Sequence, residues 1–385
     1  MKIQIDHNRV FSIFKKVVLV ITLILFYIIN IFFVASSTKG LYDFGSFIAS
    51  GELANEKKNP YSEESSFIFS IYFPIIDHKG IAPNLNPPIS IMFFQHLSSI
   101  SPEKSLITWR WLNGLLFIFS FLLLHFYSPN ARKPDMVKRT FLFFCFAGLW
   151  HTIELGQIYI VVLLLTIISW VFIKQEKTLL GGIVLGIIIA IKPNFILWAI
   201  ALFANKNWKV FLVSGITSFT ISLIPILKWG PKIYVQWLEA SQKFTPDLLI
   251  FPGNNSLQGL FARFSVPHIG IFTGIILTIA MVVFIAKNKP TNITINTIGI
   301  VLSLFVSPIA WTGYTLLVFP ILFEEKLWKA YHWVAVCIFI VPFPIILKLF
   351  QLSNFNFVFF GWFYGWGLLI LLSGTLINKK DPLSV

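Results

Sequence analysis

The sequence is short of charge. Only 12% of its 385 residues are Asp, Glu, Lys or Arg, where ordinary soluble domains carry about 25%. No polar stretch is long enough to form a soluble domain of its own, so an enzyme domain hung on a single membrane anchor is excluded. Cysteine is nearly absent. Cys145 and Cys337 both stand in apolar segments and read as small core hydrophobes, which excludes a disulfide framework and any thiolate metal site. A phosphate-cradling Gly loop, a zinc-ligand spacing and a nucleotide fold are all missing. So is the internal repeat that many secondary transporters carry. The formal net charge of +14 has no aromatic-basic repeat to go with it, so nucleic acid is not the implied partner. Basic residues collect on the cytoplasmic side of membrane proteins, and that accounts for the excess.

Apolar residues are what the chain has instead, at 56%. They come in blocks of about 20, the length a helix needs to cross the hydrocarbon of a bilayer. The blocks lack the alternation of a barrel strand. The fold class is therefore all-α membrane, a polytopic helical bundle forming one domain over residues 1–385. The run 17–36 reads as a retained signal-anchor, with Lys2, Arg9, Lys15 and Lys16 before it inside. Residues 37–105 form a first outer loop, whose apolar segment 87–100 is too short to span and lies in the interface or dips in and returns. Further spans are expected at 107–127, 140–156, 158–173, 209–227, 269–286, 293–309, 312–324, 329–348 and 357–376. A second outer loop covers 228–268. The stretch 179–204 has basic residues at both ends (Lys174 and Lys177, Lys206 and Lys209) and Lys192 near its middle. Two short arms meeting at Lys192-Pro193-Asn194 put both ends inside, which requires a protein-lined cavity at the turn. The total is about 11–13 membrane segments with both termini cytoplasmic.

With the sides assigned this way, the unusual polar residues fall on the outer face: Asp43, Asn84, Asn86, Glu154, Gln157, Lys192, Asn254, Asn255, Ser256 and Trp311. Asp43 is either an interfacial loop carboxylate or a general base held beside a lipid-borne substrate. Asp77-His78 is a weaker acid/base pair. Lys192 either snorkels or supplies a point charge for an anionic headgroup; a lysine at such depth costs roughly 2.5–3.5 kcal/mol on insertion scales and usually has a partner or a task. Amides at Gln157, Asn84, Asn86, Asn254 and Asn255 suit sugar hydroxyls, but they also make turns and caps. Trp311 is either a sugar-stacking platform or part of an aromatic belt.

Several segments, in order, resemble a known family. They are Tyr42-Asp43-Phe44, Asn59-Pro60-Tyr61, Asn84-Leu-Asn-Pro-Pro88, Trp109–Asn113, Leu155-Gly-Gln157, Gly181-Gly-Ile-Val-Leu-Gly186 with Lys192-Pro193, Gly253-Asn-Asn-Ser-Leu257 and Ser307-Pro-Ile-Ala-Trp311. Together they resemble the GT-C class of polyprenyl-phosphate-sugar-dependent glycosyltransferases, and within it family 87, the bacterial mannosyl- and arabinofuranosyl-transferases. The resemblance implies a helical bundle with an outer-face site in the plasma membrane. It implies a polyprenyl-phosphate-linked hexose or pentose donor, mannose-like foremost, and a glycan or glycolipid acceptor. Asp43 would be the catalytic base of an inverting transfer, and Lys192 and Arg110 would meet the donor phosphate. Gln157, Asn84, Asn86, Asn254, Asn255 and Trp311 would bind sugar or acceptor, with no cofactor or metal. Relatives often carry a histidine after the Ser-Pro-x-x-Trp segment, where this chain has Thr312-Gly313-Tyr314. A lipid flippase or solute transporter, or an oligosaccharide polymerase or ligase, remains the alternative reading.

Overall fold

The computed structural model describes residues 42–62, 84–127, 142–325 and 328–377. The expected signal-anchor run 17–36, Asp77-His78 and the basic loop 128–139 lie outside the described residues. Among the described residues all regular structure is helical, and the chain is an all-α polytopic membrane protein. Three helices are long and apolar enough to cross a membrane: α3 (Pro102–Tyr127), α8 (Trp208–Trp229) and α11 (Pro267–Asn288). They are preceded by α1 (Tyr42–Asn55) and α2 (Pro88–Leu97). Between α3 and α8 come α4 (Ala147–Leu155), α5 (Tyr159–Lys174), α6 (Thr178–Ile191) and α7 (Ile196–Ala204). α9 (Lys232–Leu249) and α10 (Leu257–Ala262) fill the second expected outer loop. α12 (Asn292–Val306), α13 (Phe319–Glu324), α14 (Ala330–Ile340), α15 (Phe343–Phe350), α16 (Asn354–Phe359) and α17 (Phe363–Ile377) complete the order.

Two expected spans take a different form. The segment 329–348 is not one helix: α14 and α15 meet at 81°. Pro342 and Pro344 stand at the corner, and prolines without N–H groups cannot carry the helical ladder through it. The segment 312–324 is a 3-10 turn, Thr312–Val318, leading into α13, and its residues from Thr312 to Phe323 are buried in protein. It is a core element and not a lipid-facing span.

The stretch 179–204 reverses direction. Lys192, with φ −139 and ψ 88, ends α6, and a 3-10 turn Pro193–Phe195 starts α7. α6 runs antiparallel to α5: Gly181 backs onto Ile173, while at the other end the Lys192 ammonium lies over the Tyr159 ring. α7 then runs antiparallel to α12, with Asn194 bonded to the Ser303 carbonyl at 2.7 Å and Trp198 Nε1 to Asn296 Oδ1 at 2.7 Å. Gly182 faces Val210 and Val213, and Gly186 faces Ser214 and Thr217, so α6 and α8 run parallel. The start of α6 and the end of α7 therefore lie at the same level, and Lys192 stands alone at the far tip.

Small residues make this arrangement possible. A Cβ added to Gly186 would lie 2.5 Å from Thr217 Cβ and 2.6 Å from the Ser214 carbonyl oxygen. Overpacking of this kind costs about 1–3 kcal/mol, and more where backbone must move. Gly186→Leu is expected to lower the thermal midpoint of the detergent-solubilised protein by several degrees and to reduce its yield, while the same change at Gly215, which faces open space, leaves both nearly unchanged.

Candidate active site

Asp43 occupies the first turn of α1, where the positive end of the helix dipole favours a carboxylate. Burial of the neighbouring residues fixes that end. Phe44 stacks on Trp109 with centroids 6.2 Å apart, and it leaves so little room at Gly156 that a Cβ there would sit 2.6 Å from its own Cβ. Gly156 ends α4 with φ +69, a conformation that glycine adopts at no steric cost, and its carbonyl accepts from Trp109 Nε1 at 2.7 Å. The turn delivers Gln157 to Asp43, and Gln157 Nε2 donates to Asp43 Oδ2 at 2.5 Å.

Lys192 arrives from the tip of the α6–α7 hairpin. Its Nζ donates to Asn86 Oδ1 at 2.7 Å and lies 5.2 Å and 5.7 Å from the ring centroids of Tyr159 and Tyr314. The two rings are 4.5 Å apart. Asn86 is set by Asn84, whose Oδ1 accepts from the Asn86 backbone at 3.0 Å and from Asn86 Nδ2 at 2.9 Å. Tyr61 Oη and Trp237 Nε1 hold the same segment from above through the carbonyls of Asn86 and Leu85, at 2.8 Å and 2.9 Å. Burial pushes the Asp43 carboxyl up to about 6, against the pull of the Gln157 bond and of the Lys192 charge. Asp43 and Lys192 are largely but not fully buried, so part of each remains open to a substrate.

The structure thus brings together Asp43, Gln157, Lys192, Asn86 and Asn84. The other expected residues are placed differently. Arg110 is buried beside Trp109, and its Nη2 is 3.4 Å from the Glu154 carbonyl oxygen, at the end of the helix that leads to Gln157. Asn254 and Asn255 are spent on backbone. Asn254 Oδ1 accepts from the amides of Ser256 and Ala310, and its Nδ2 donates to the carbonyls of Leu249 and Pro308. Asn255 Nδ2 donates to the carbonyls of Gly253 and Ala310, and its Oδ1 accepts from Gly365 N. Their observed role is to clamp the 253–256 loop to the 308–311 loop and to α17. Trp311 is half-buried, edge-on to Phe251 at 5.8 Å, three residues before Tyr314. Tyr159 and Tyr314 were not expected from sequence. Tyr159 sits two residues past Gln157 and heads an apolar helix, and Tyr314 lies in a stretch that reads as a span. Among the described residues, no three His, Cys, Asp or Glu side chains gather as a metal site would require.

A polytopic helical membrane protein with a carboxylate, an ammonium and amides converging at one end has the parts of a membrane transferase site. The sequence profile of Glycosyltransferase family 87 matches residues 84–308, and the chain belongs to that family. The matched segment contains Asn84, Asn86, Gln157 and Lys192, and Asp43 lies before it. The chain is also similar to an alpha-(1->3)-arabinofuranosyltransferase of Corynebacterium glutamicum. The two are 26% identical over 231 residues, covering 56% of this chain and 54% of the relative. The chain spans about half the length of that curated relative.

The Gln157 bond lowers the proton affinity of Asp43. Gln157→Leu removes that donor and is expected to move the acid limb of the kcat/KM–pH profile upward from about 6. An unmoved acid limb in this variant would separate the limb from Asp43.

Proposed function

We propose that the protein is a glycosyltransferase that moves a sugar from a polyprenyl-phosphate donor to a hydroxyl of a glycan or glycolipid, with inversion, on the outer face of the plasma membrane. The observation that carries this reading is the pairing of a largely buried carboxylate raised to about 6 with a lone lysine held near it by a neutral amide. Asp43 takes the proton from the acceptor hydroxyl. The acceptor oxygen forms its bond to the anomeric carbon as the bond from that carbon to the phosphate oxygen breaks. Polyprenyl phosphate leaves with the electron pair, and Lys192 meets its charge as a charge-assisted donor. A phosphate leaving group needs no proton, so one carboxylate suffices where a glycoside hydrolase uses two. Asn84 and Asn86, both buried, set Lys192 from within the protein, and Trp311 is offered as a sugar-stacking surface. The transferred sugar is a hexose, mannose-like foremost, or a pentose; the arabinofuranosyltransferase name of the corynebacterial relative supports the latter.

The experiment is transfer by the purified full-length protein from polyprenyl-phosphate mannose and polyprenyl-phosphate arabinofuranose in turn. With the accepted donor, Asp43→Asn is expected to express and bind donor normally while losing about 10²–10⁴-fold in kcat, the usual worth of general-base catalysis. Lys192→Ala is expected to lose about 10–150-fold in kcat/KM for donor, matching the ~1.5–3 kcal/mol of a hydrogen bond to a charge. Near-normal transfer by Asp43→Asn would place the base elsewhere. For the sidedness, single cysteines at positions 60 and 207, in a chain with Cys145 and Cys337 replaced, are expected to label from outside and only after permeabilisation, respectively. Labelling of both from outside would overturn the outer-face assignment.

A further inference from the structure

A second charged feature lies at the opposite end of α1 from Asp43, about 18 Å along the helix at 1.5 Å per residue. There a groove of about 590 Å³ opens where the ends of α1 and α8 meet the start of α9. Four lysines line it, Lys57 and Lys58 from one wall and Lys228 and Lys232 from the other, with Asn55 and Gln95 at its base. Lys228 donates to Gln95 Oε1 and lies 4.9 Å from the Trp229 ring centroid. Asn55 Nδ2 bonds the Gln95 carbonyl and Ser98 Oγ, while Gln95 Nε2 returns a bond to Asn55 Oδ1. The floor is therefore a fixed amide network, with cations standing around it.

Lysines near helix C-termini are ordinarily explained by the dipole, which supplies roughly half a negative charge at each C-terminus. Here two C-termini, of α1 and α8, face four lysines. Lys58 lies 2.9 Å from Glu56, which is half-exposed to solvent. The start of α9, the positive end of its helix, adds to the excess. Among the described residues that line the groove, four are lysines and none is an acid.

What enters it is decided by α8. This membrane-crossing helix is mostly uncovered by protein. Ile216, Phe219, Ile224 and Leu227 are exposed along it, Leu227 at 85%. Residues 216, 220, 224 and 228 follow at four-residue steps, so one row of the lipid-facing surface runs directly up to Lys228. Trp229 follows at the level where aromatic side chains mark the headgroup region. An acyl chain lying on this row has its headgroup in the groove.

We propose that the groove is a binding site for the phosphate headgroup of an anionic glycerophospholipid, whose chains lie on the exposed row of α8, and that this site is separate from the Asp43–Lys192 centre. A zwitterionic headgroup brings its own ammonium against four lysines and is disfavoured. Free phosphate has the charge but gains nothing from the apolar row.

The test uses the full-length protein in detergent, with added phosphatidylglycerol, phosphatidylcholine or inorganic phosphate at equal concentration, read by thermal midpoint and by lipid retained in native mass spectrometry. Phosphatidylglycerol alone is expected to raise the midpoint and to be retained. Lys228→Gln with Lys232→Gln, and separately Lys57→Gln with Lys58→Gln, are each expected to weaken its binding at least about tenfold, in line with surface-lysine contributions to anionic-lipid binding. Two independent pairs are used because Lys228 also braces Gln95, and loss of that brace in one pair leaves the other decisive. Asp43→Asn is expected to keep full lipid binding, which separates this site from the reaction. Equal retention of phosphatidylglycerol and phosphatidylcholine, undiminished binding in the Lys57/Lys58 pair, or an equal shift with inorganic phosphate would overturn the proposal.

Discussion

The hydrogen bond from Lys192 to Asn86 ties the bundle to its cap. An ammonium at the tip of an apolar hairpin costs roughly 2.5–3.5 kcal/mol unless something receives it. Asn86 Oδ1, the faces of Tyr159 and Tyr314 and the charge of Asp43 receive it here. Each of these comes from a different part of the chain: α1, the segment before α2, the start of α5 and the 3-10 turn after α12. Asn86 in turn is held by Asn84, Tyr61 and Trp237, which draws the cap of α1, α2 and α9 down onto the hairpin. A small apolar cluster of Ala54, Tyr61, Ile91, Ile233 and Ala240 closes that cap. The geometry of the site and the packing of the cap are thus one arrangement seen from two sides.

The bundle was legible in the sequence because hydrophobic runs of membrane length have few other uses. The hairpin at Lys192-Pro193 was legible from basic residues at both of its ends, which a single crossing would have put on opposite sides. What sequence did not reveal is instructive. Val341-Pro342 turns an expected span by 81° because a proline pair sets a corner that hydropathy averages over. Thr312–Phe323 reads as a span by composition, yet it is enclosed by α4, α5 and α12, with Gly148 and Gly313 giving the close approaches. Buried protein and lipid look alike to a hydropathy scale.

The candidate site was partly legible for the same reason. Asp43, Gln157, Lys192, Asn84 and Asn86 stand out as polar residues assigned to one face, and all five converge. Asn254 and Asn255 are equally conspicuous in sequence, but their amides fasten two loops together. An amide that binds a sugar and an amide that binds a backbone carbonyl have the same composition and differ only in what the fold puts opposite. Tyr159 and Tyr314 show the converse, since aromatic residues in an apolar stretch carry no mark of the cation they face.

Asp43 and Lys192 are close enough to feel each other's charge, yet each takes a neutral amide as its hydrogen-bond partner, Gln157 for the carboxylate and Asn86 for the ammonium. A direct ion pair would hold the carboxylate well below its ordinary range and make it a poor proton acceptor. It would also occupy the ammonium that an incoming phosphate needs. Amide partners orient both groups without neutralising either. Burial can then hold the Asp43 carboxyl at about 6, near the pH at which a general base works best. Asn86 meanwhile positions the Lys192 ammonium without cancelling its charge. In the proposed reaction, a donor phosphate at Lys192 adds negative charge near Asp43 and raises its proton affinity further. On that proposal donor binding strengthens Asp43 as a base before the acceptor hydroxyl is engaged, and the neutral amides leave room for that coupling.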